Sequence, residues 1–171
     1  TLGYLSTHMA VRPLRSIGVI GTPGCGKTTL CQNLGLPVLS LRDIAEQNAC
    51  LGEIESDGAA QMDVEKLAKL WQHPEVLTLI DGHLAHHVPV DALIVVRCHP
   101  EELRNRLKER GYSAEKIQAN VEVEMLGGPW NDLIGDSRPI FEGSDGVKAW
   151  IDSGCPPKTT PDMALDWLAS P

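Results

Sequence analysis

The sequence predicts an α/β protein with a parallel sheet, because short apolar runs alternate with helical patterns along most of the chain. Residues 76–81 (VLTLID) and 91–97 (DALIVVR) are nearly continuous apolar runs, which is typical of strands covered on both faces. A glycine-rich turn joins a third apolar run, residues 17–20, to a helix that starts at Lys27. Since 171 residues is the length of one domain, we expect a single α/β domain over residues 9–171.

The first half of the chain shows one further strand and two helices. PVLSL at residues 37–41 is typical of a strand, and LRDIAEQN directly after it is typical of a helix. Residues 49–62 are polar and contain glycine, so we expect an irregular connection there. Apolar residues at helical spacing follow Asp63, which indicates a helix over residues 63–72 with Asp63 as its N-cap.

The second half shows two clear helices and a less regular end. Pro100 followed by two glutamates starts a helix that Gly111 ends, and residues 113–126 form the next helix. Residues 127–146 are rich in helix and strand breakers. After them we expect a strand at residues 147–151 (VKAWI) and a last helix that ends at Leu168.

Composition limits the possible partners and compartment. A net charge of −8 argues against loose binding to nucleic acid, and we expect no sequence-specific nucleic-acid contact either. Five cysteines without a CxxC pair fit neither a disulfide framework nor a zinc knuckle, so we expect a reducing, cytoplasmic environment. No apolar run is long enough for a membrane span. Residues 1–8 resemble a cloning remnant ahead of Met9.

The turn after residues 17–20 reads GTPGCGKT and fits the P-loop pattern G-x-x-x-x-G-K-[ST]. Glycines let backbone N–H groups face phosphate oxygens, and the helix N-terminus adds partial positive charge. We expect Lys27 to reach the β- and γ-phosphates, Thr28 to bind Mg²⁺ and Thr29 to meet the α-phosphate. The turn therefore predicts binding of a nucleoside triphosphate. Its expected ligand residues are Gly24, Cys25, Gly26, Lys27, Thr28 and Thr29.

A P-loop site needs a second acid for the metal, usually at the end of a neighbouring strand. Asp81 ends the run VLTLI and is the candidate, although a carboxylate there could also simply cap a turn. His83 follows, and His86 and His87 come soon after it. Because no cysteine or carboxylate stands at a fitting spacing, we favour surface or loop histidines over a metal cluster.

Arginines supply the remaining candidate anion ligands. Arg106 and Arg110 are four residues apart on one helix, so both can point toward a triphosphate, whereas Arg104 is expected to face solvent. The alternative is a solvated face with Arg106 paired to Glu102. Arg42 is the one cation between residues 40 and 65 and is the candidate ligand for a second substrate.

Several segments together resemble one known family. GTPGCGKTT (21–29), LRDIA (41–45), DGHLAHH (81–87) with DALIVVR, and RLKERGYSAEKIQANVEVE (106–124) are similar to the atypical adenylate kinases of archaea and eukaryotic nuclei, the family of the coilin-interacting nuclear ATPase. The resemblance covers roughly residues 16–125.

The resemblance implies a P-loop kinase fold with a five-stranded parallel sheet flanked by helices, an AMP-binding segment near residues 40–62 and a small lid near residues 109–119. It implies Mg²⁺-dependent transfer of the ATP γ-phosphate to AMP. Asp81 would handle Mg²⁺ and the attacking group, His83 would assist, and Arg110 would contact ATP. It also implies ATPase activity and a role in small ribosomal subunit maturation through a platform ribosomal protein, in the nucleus if the protein is eukaryotic.

The sequence also departs from ordinary adenylate kinases. They read D-G-F-P-R where this chain reads DGHLA, so the arginine that grips AMP is missing and no cation follows until Arg97. The usual long lid is also missing, so ATP hydrolysis could compete with transfer. Two alternatives therefore stay open: an ATPase that works as an assembly factor, and a small-metabolite kinase of the shikimate or gluconate type.

Overall fold

The structure, a computed structural model, describes residues 14–54 and 60–153, with side chains described up to Ala149. Its strands are β1 (Ser16–Gly21), β2 (Val38–Ser40), β3 (Leu51–Ile54), β4 (Ala60–Met62), β5 (Thr78–Asp81), β6 (Ala92–Val96) and β7 (Ile140–Glu142). Its helices are α1 (Lys27–Leu34), α2 (Leu41–Gln47), α3 (Val64–Leu70), α4 (Pro100–Glu109), α5 (Ala114–Met125) and α6 (Asp145–Ser153). Two 3₁₀ helices span Ala85–His87 and Gly128–Leu133.

Five strands form one parallel sheet in the order β2-β5-β1-β6-β7, which confirms the predicted five-stranded parallel sheet. Val19 of β1 lies opposite Asp81 of β5, and Gly21 lies opposite Val96 of β6. The carboxyl ends of the three central strands therefore meet at one edge. Ligands of open parallel sheets bind outside that edge, where the strand order reverses.

Helices cover both faces of the sheet, and each face has its own apolar core. One core contains Ile20, Leu41 and Trp130, and the other contains Ile17 and Phe141. All of these side chains are buried. Most core residues are aliphatic, as the low aromatic content of the chain requires. Among the described residues, no helix combines the length and the apolar character that crossing a membrane requires.

β7, the fifth strand of the parallel sheet, lies within residues 127–146, where the sequence predicts no regular structure. Ile140 and Phe141 are buried and pair with β6. Residues 147–151, which we expected to form a strand, belong instead to α6. The turn at Gly143, with φ 84°, directs the chain away from the sheet, and the buried Val147 packs from a helix. Packing against the sheet thus overrides the strand propensity of VKAWI.

Residues 51–54 and 60–62, the strands described within the segment 49–62, are more regular than expected. β3 and β4 form an antiparallel hairpin in which Leu51 lies opposite Met62 and Ile54 lies opposite Ala60. The helices predicted on either side are confirmed as α2 and α3, and the Asp63 side chain accepts a 3.0 Å hydrogen bond from the Lys66 backbone N–H, as its N-cap role predicts. The predicted helix ending at Leu168 lies outside the described residues, as do residues 1–8.

Candidate active site

The P-loop joins β1 to α1 by a tight turn. Gly24 and Gly26 have φ values of 90° and 100°, which side chains rarely allow, so glycine is required at both positions. The turn is closed by a 3.0 Å hydrogen bond from the Cys25 backbone N–H to the Thr22 carbonyl oxygen. Gly26 is the N-cap of α1, so the loop ends at a helix N-terminus. This arrangement is suited to an anion.

Lys27 folds its side chain back along the loop. Its Nζ donates a 3.1 Å hydrogen bond to the Gly21 carbonyl oxygen. Burial lowers the pKa of the Lys27 ammonium, the nearby Asp81 carboxylate opposes that shift, and the Arg110 guanidinium adds to it. The structure thus brings Lys27, Asp81 and Arg110 close enough for their charges to interact. Thr28 and Thr29, in the first turn of α1, are exposed to solvent.

The loop after β5 packs closely on the start of α2. A Cβ at Gly82 would lie 2.7 Å from the Leu41 Cβ, so only glycine fits there. Ser40 caps α2, and its Oγ accepts a hydrogen bond of 3.4 Å from the Asp43 backbone N–H. The close packing of Gly82 on Leu41 places Arg42, in the first turn of α2, beside the carboxyl end of β5.

The three histidines after Asp81 occupy different environments. His83 lies beside the site, and its pKa is lowered by partial burial, then by the Lys27 ammonium and by His87. His83 and His87 are both exposed, as expected. His86 lies in the loop, as expected, but is buried and not at the surface, and its Nε2 lies 3.1 Å from Asp132 Oδ2. The packing of residues 128–133 over this loop is a long-range contact that local sequence does not reveal.

The structure brings both predicted arginines to the P-loop. Arg106 Nη1 donates a 3.1 Å hydrogen bond to the Gly24 carbonyl oxygen, and Nη2 is paired with Glu102. The structure therefore contains both the predicted ion pair of Arg106 with Glu102 and the predicted approach of Arg106 to the P-loop. Arg110 is exposed at the end of α4. Arg104 does not simply face solvent, since its Nη2 donates a 3.0 Å hydrogen bond to Gln118 Oε1 on α5.

A buried charge network behind the P-loop was missed by the sequence analysis. The Glu124 carboxylate, 1% exposed, accepts hydrogen bonds from Arg97 Nε at 2.6 Å and from the Thr22 hydroxyl at 2.5 Å. Arg97 also donates to the backbone carbonyl oxygens of Glu124 and Gly127. Arg97, the first cation after Asp81 in the chain, is therefore held within the protein.

Cys25 contributes its backbone to the P-loop, and its thiol is inert. Burial, the largest cause, raises the pKa of the Cys25 thiol to about 12 together with the Glu124 carboxylate and Cys98. The thiolate is the reactive form of cysteine, and at neutral pH it is absent here. Among the described residues, Cys25, Cys31, Cys50 and Cys98 are free thiols.

A cleft opens beside Asp81 and His83. It encloses about 780 Å³, which is within the range of pockets that hold small ligands. Its walls come from the P-loop, from α2, from the β3–β4 hairpin and from the start of α5. Its polar lining residues are Arg42, Gln61, Asp81, His83, Tyr112, Lys116 and Asn120.

Four of these lining residues, Gln61, Tyr112, Lys116 and Asn120, were not predicted as ligands. Tyr112 lies in the turn between α4 and α5, and Lys116 Nζ lies 5.5 Å from the centre of its ring. Asn120 follows Lys116 by one helical turn. The four-residue spacing of Tyr112, Lys116 and Asn120 was a usable signal, since it places the last two on one face of a helix. The direction of that face depends on how α5 packs, which the sequence does not show.

Residues 17–127 match the family AAA_18, described as an AAA domain. A protein of Pyrococcus abyssi (strain GE5 / Orsay), named "Putative adenylate kinase", is 38% identical over 132 residues, which are 74% of this chain and 72% of that relative. A protein of the same name from Pyrococcus furiosus is 42% identical over 118 residues, which are 64% of this chain and 63% of that relative.

Among solved structures, one titled as a putative kinase from Chloroflexus aurantiacus aligns with a TM-score of 0.46 and 17% identity, over 92% of this chain and 97% of that one. The family match is more informative, because it runs from β1 into the turn after α5 and includes the P-loop, Asp81 and Arg110. The chain therefore belongs to the AAA_18 family of P-loop domains and to the same family as the archaeal protein from Pyrococcus abyssi.

Proposed function

We propose that the protein is a nucleoside monophosphate kinase that transfers the γ-phosphate of ATP to AMP and releases two molecules of ADP. The observation that carries this proposal is the position of the 780 Å³ cleft, which shares Asp81 and His83 with the edge of the P-loop site. A second substrate in that cleft lies next to the end of a triphosphate held by the P-loop. The names of the archaeal relatives support the same reaction.

On the donor side, the backbone N–H groups of Gly24 and Gly26 cradle the phosphates at the N-terminus of α1, and the Cys25 N–H keeps the turn closed through Thr22. Lys27 turns from the Gly21 carbonyl oxygen to the β- and γ-phosphates, and Thr29 meets the α-phosphate. This exchange is favourable, because a charged phosphate oxygen is a stronger acceptor for an ammonium than a neutral carbonyl oxygen is.

The residues at the edge of the sheet fit a Mg²⁺ ion. Thr28 offers an exposed hydroxyl at the start of α1, and Asp81 offers a carboxylate at the end of β5. Hard oxygen ligands of this kind suit Mg²⁺, which retains several waters and binds phosphate oxygens. When bound, the ion would neutralise charge on the β- and γ-phosphates.

On the acceptor side, the cations Arg42 and Lys116 replace the arginine that ordinary adenylate kinases carry after D-G-F-P. They enter the cleft from two different elements, α2 and α5. Arg97 cannot take this role, because Glu124 and two backbone carbonyl oxygens already occupy its guanidinium. The Tyr112 ring, against which Lys116 lies, provides an apolar surface for a base or ribose.

The transfer itself needs no covalent enzyme intermediate. A phosphate oxygen of AMP forms a bond to the γ-phosphorus, and the bond from that phosphorus to the β–γ bridging oxygen breaks, which leaves ADP on both sides. Negative charge moves onto the bridging oxygen during this step. Lys27 and Arg110 stabilise that charge, and Arg106 holds the P-loop backbone through Gly24.

ATP hydrolysis is the second activity that this site supports. The predicted lid, residues 109–119, is a short turn at residues 110–113 followed by the first residues of α5, and the cleft beside it is open. Water can therefore reach the γ-phosphate when AMP is absent. An ATPase that acts in ribosome maturation, as the family resemblance implies, would use the same residues with His83 orienting the water.

A coupled assay separates these functions. The protein is supplied with ATP and Mg²⁺, and ADP formation is followed alone and with AMP, CMP, GMP, UMP, shikimate or gluconate. We expect AMP to give the largest increase over hydrolysis, with two ADP formed per AMP consumed. Lys27→Ala serves as the inactive control. ADP formation that no monophosphate increases would reject the kinase and leave the ATPase, while stimulation by shikimate or gluconate would indicate the metabolite kinase.

A further inference from the structure

Two neighbouring histidines and an aspartate from a distant segment meet on the far side of the loop that follows β5. His86 and His87 belong to the 3₁₀ helix Ala85–His87, and Asp132 belongs to the 3₁₀ helix Gly128–Leu133. One side-chain ligand atom from each of the three residues lies within 4.8 Å of the other two. The sequence around DGHLAHH offers no carboxylate at a spacing that suits metal binding with these histidines. The fold supplies one, Asp132, from a distant segment.

His86 is the buried member of this group. Its side chain is 4% exposed, and its Nδ1 is buried without a hydrogen-bond partner among the described residues. Its Nε2 lies 3.1 Å from Asp132 Oδ2, and its ring centre lies 4.0 Å from that of His87. The His86 ring therefore has one polar edge toward the side chains of His87 and Asp132.

The distance between His86 Nε2 and Asp132 Oδ2 is close to that between two ligands of one metal ion. With bonds of about 2.0–2.2 Å to nitrogen or oxygen, two ligands of a tetrahedral Zn²⁺ ion are about 3.4 Å apart. The His86–Asp132 separation of 3.1 Å needs only a small increase. His87 and Asp132 are exposed, so their side chains can complete the geometry while the buried His86 stays in place.

We propose that His86, His87 and Asp132 form a binding site for a divalent transition-metal ion, with Zn²⁺ as the best-suited ion. Two imidazoles and one carboxylate are typical zinc ligands, and water occupies the fourth position. Mg²⁺ prefers oxygen ligands, so it does not compete strongly for this set. The site is distinct from the Thr28 and Asp81 oxygens at the P-loop.

The surrounding charges are compatible with a cation. Arg138 is a positive group beside the site, and its Nη2 donates to the His86 carbonyl oxygen at 2.7 Å. The same nitrogen lies 2.7 Å from Asp136 Oδ2, so the guanidinium charge is largely balanced.

A bound ion would give a role to residues 127–146, which the sequence analysis left unassigned. It would tie the second 3₁₀ helix to the loop that carries Asp81 and His83, across a separation of 46 residues in the chain. A cavity of about 300 Å³ between these segments is lined by both His83 and His86. The ion would therefore stabilise the folded state and hold the catalytic loop against the C-terminal segment.

The test is a zinc titration of the full chain at pH 7.5, with excess Mg²⁺ present and a chromophoric chelator as competitor. The variants are His87→Ala and Asp132→Asn, which change exposed side chains and spare the buried His86. His99→Asn is the matched control, because His99 is exposed on another element and asparagine keeps its N-cap role in α4. Thermal melting with and without zinc gives a second readout that needs no enzyme activity.

We expect the wild type and His99→Asn to bind one zinc ion and to melt at a higher temperature when it is bound. Each ligand variant should bind at least about tenfold more weakly and lose most of the zinc-dependent rise in melting temperature. Equal zinc affinity in the wild type, His87→Ala and Asp132→Asn would mean that an adventitious ion sits elsewhere, for example on cysteine. That result, or no binding at micromolar zinc, overturns the proposal.

Discussion

The Thr22 hydroxyl in the P-loop donates a 2.5 Å hydrogen bond to the carboxylate of Glu124, a residue 102 positions later in the chain. The other oxygen of that carboxylate accepts from Arg97 Nε and from the Cys98 backbone N–H. The end of α5 is thus connected to the P-loop and to the end of β6 through one buried side chain. The network supports the site and does not face the cleft.

We expect Glu124→Ala to reduce the free energy of unfolding by about 3 kcal/mol, because it leaves the Arg97 guanidinium and the Thr22 hydroxyl without their buried partner. Urea unfolding measures the change. Glu122→Ala, on the exposed side of the same helix, is the control and should stay within about 0.5 kcal/mol of wild type. A loss below about 1 kcal/mol for Glu124→Ala would show that the network is not a structural support.

The acceptor site is tested by Lys116→Ala. Removal of one charged hydrogen-bond donor from a phosphate costs about 1.5 kcal/mol or more, so the KM for AMP should rise about tenfold or more while the KM for ATP changes little. Lys148→Ala, an exposed lysine on α6, is the control. Steady-state kinetics with each substrate varied separately gives both constants. An unchanged KM for AMP would show that the phosphate of AMP does not bind at Lys116.

Asp81→Asn tests the proposed Mg²⁺ site at the end of β5. The amide keeps the shape of the side chain and removes its charge, so we expect kcat to fall at least about a hundredfold, the scale of one such electrostatic contact. The melting temperature should stay near that of wild type. Asp43→Asn, an exposed change in the first turn of α2, is the matched control. If Asp81→Asn keeps kcat within a few-fold, another acid holds the metal.

The two arginines of α4 should differ in their effects. Arg110 interacts with the Lys27 charge and is free to reach a triphosphate, whereas Arg104 is bonded to Gln118 on α5. Arg110→Ala should therefore lower kcat/KM for ATP about tenfold or more, and Arg104→Ala about twofold or less. Equal losses in the two variants would mean that this helix contributes only a diffuse positive field.

His83 is tested by the pH dependence of kcat. Burial and the Lys27 ammonium lower its pKa below the 6.5 of an ordinary histidine, so the protonated form is disfavoured in the folded protein. If the neutral imidazole is the active form, activity is retained at pH 6.5 and falls only as the pH drops through the lowered pKa. His83→Ala should reduce kcat about tenfold or more and leave the KM values nearly unchanged. The variant should also lose the fall in activity at low pH. A fully active His83→Ala would remove His83 from the mechanism.

The sequence by itself determined the parts of the site that lie within one turn or one helix. GTPGCGKTT places the P-loop, because glycine spacing and a following helix are local requirements. Asp81 could be placed at the edge of the sheet because it directly ends a buried apolar run. The spacing of Arg106 and Arg110 likewise placed both on one face of α4. The structure confirms the strand, helix and sheet predictions on which these positions depend.

Only the tertiary structure decided which distant residues meet. β7 is three residues long and becomes a strand by pairing with β6, whereas VKAWI, with its higher strand propensity, packs as a helix. Glu124 reaches Thr22, and Asp132 reaches His86, from segments that no local pattern connects. Such contacts depend on how helices pack over the sheet, since many side chains together set that packing. The same packing turned Lys116 toward the cleft and buried His86 within the loop that the sequence predicts.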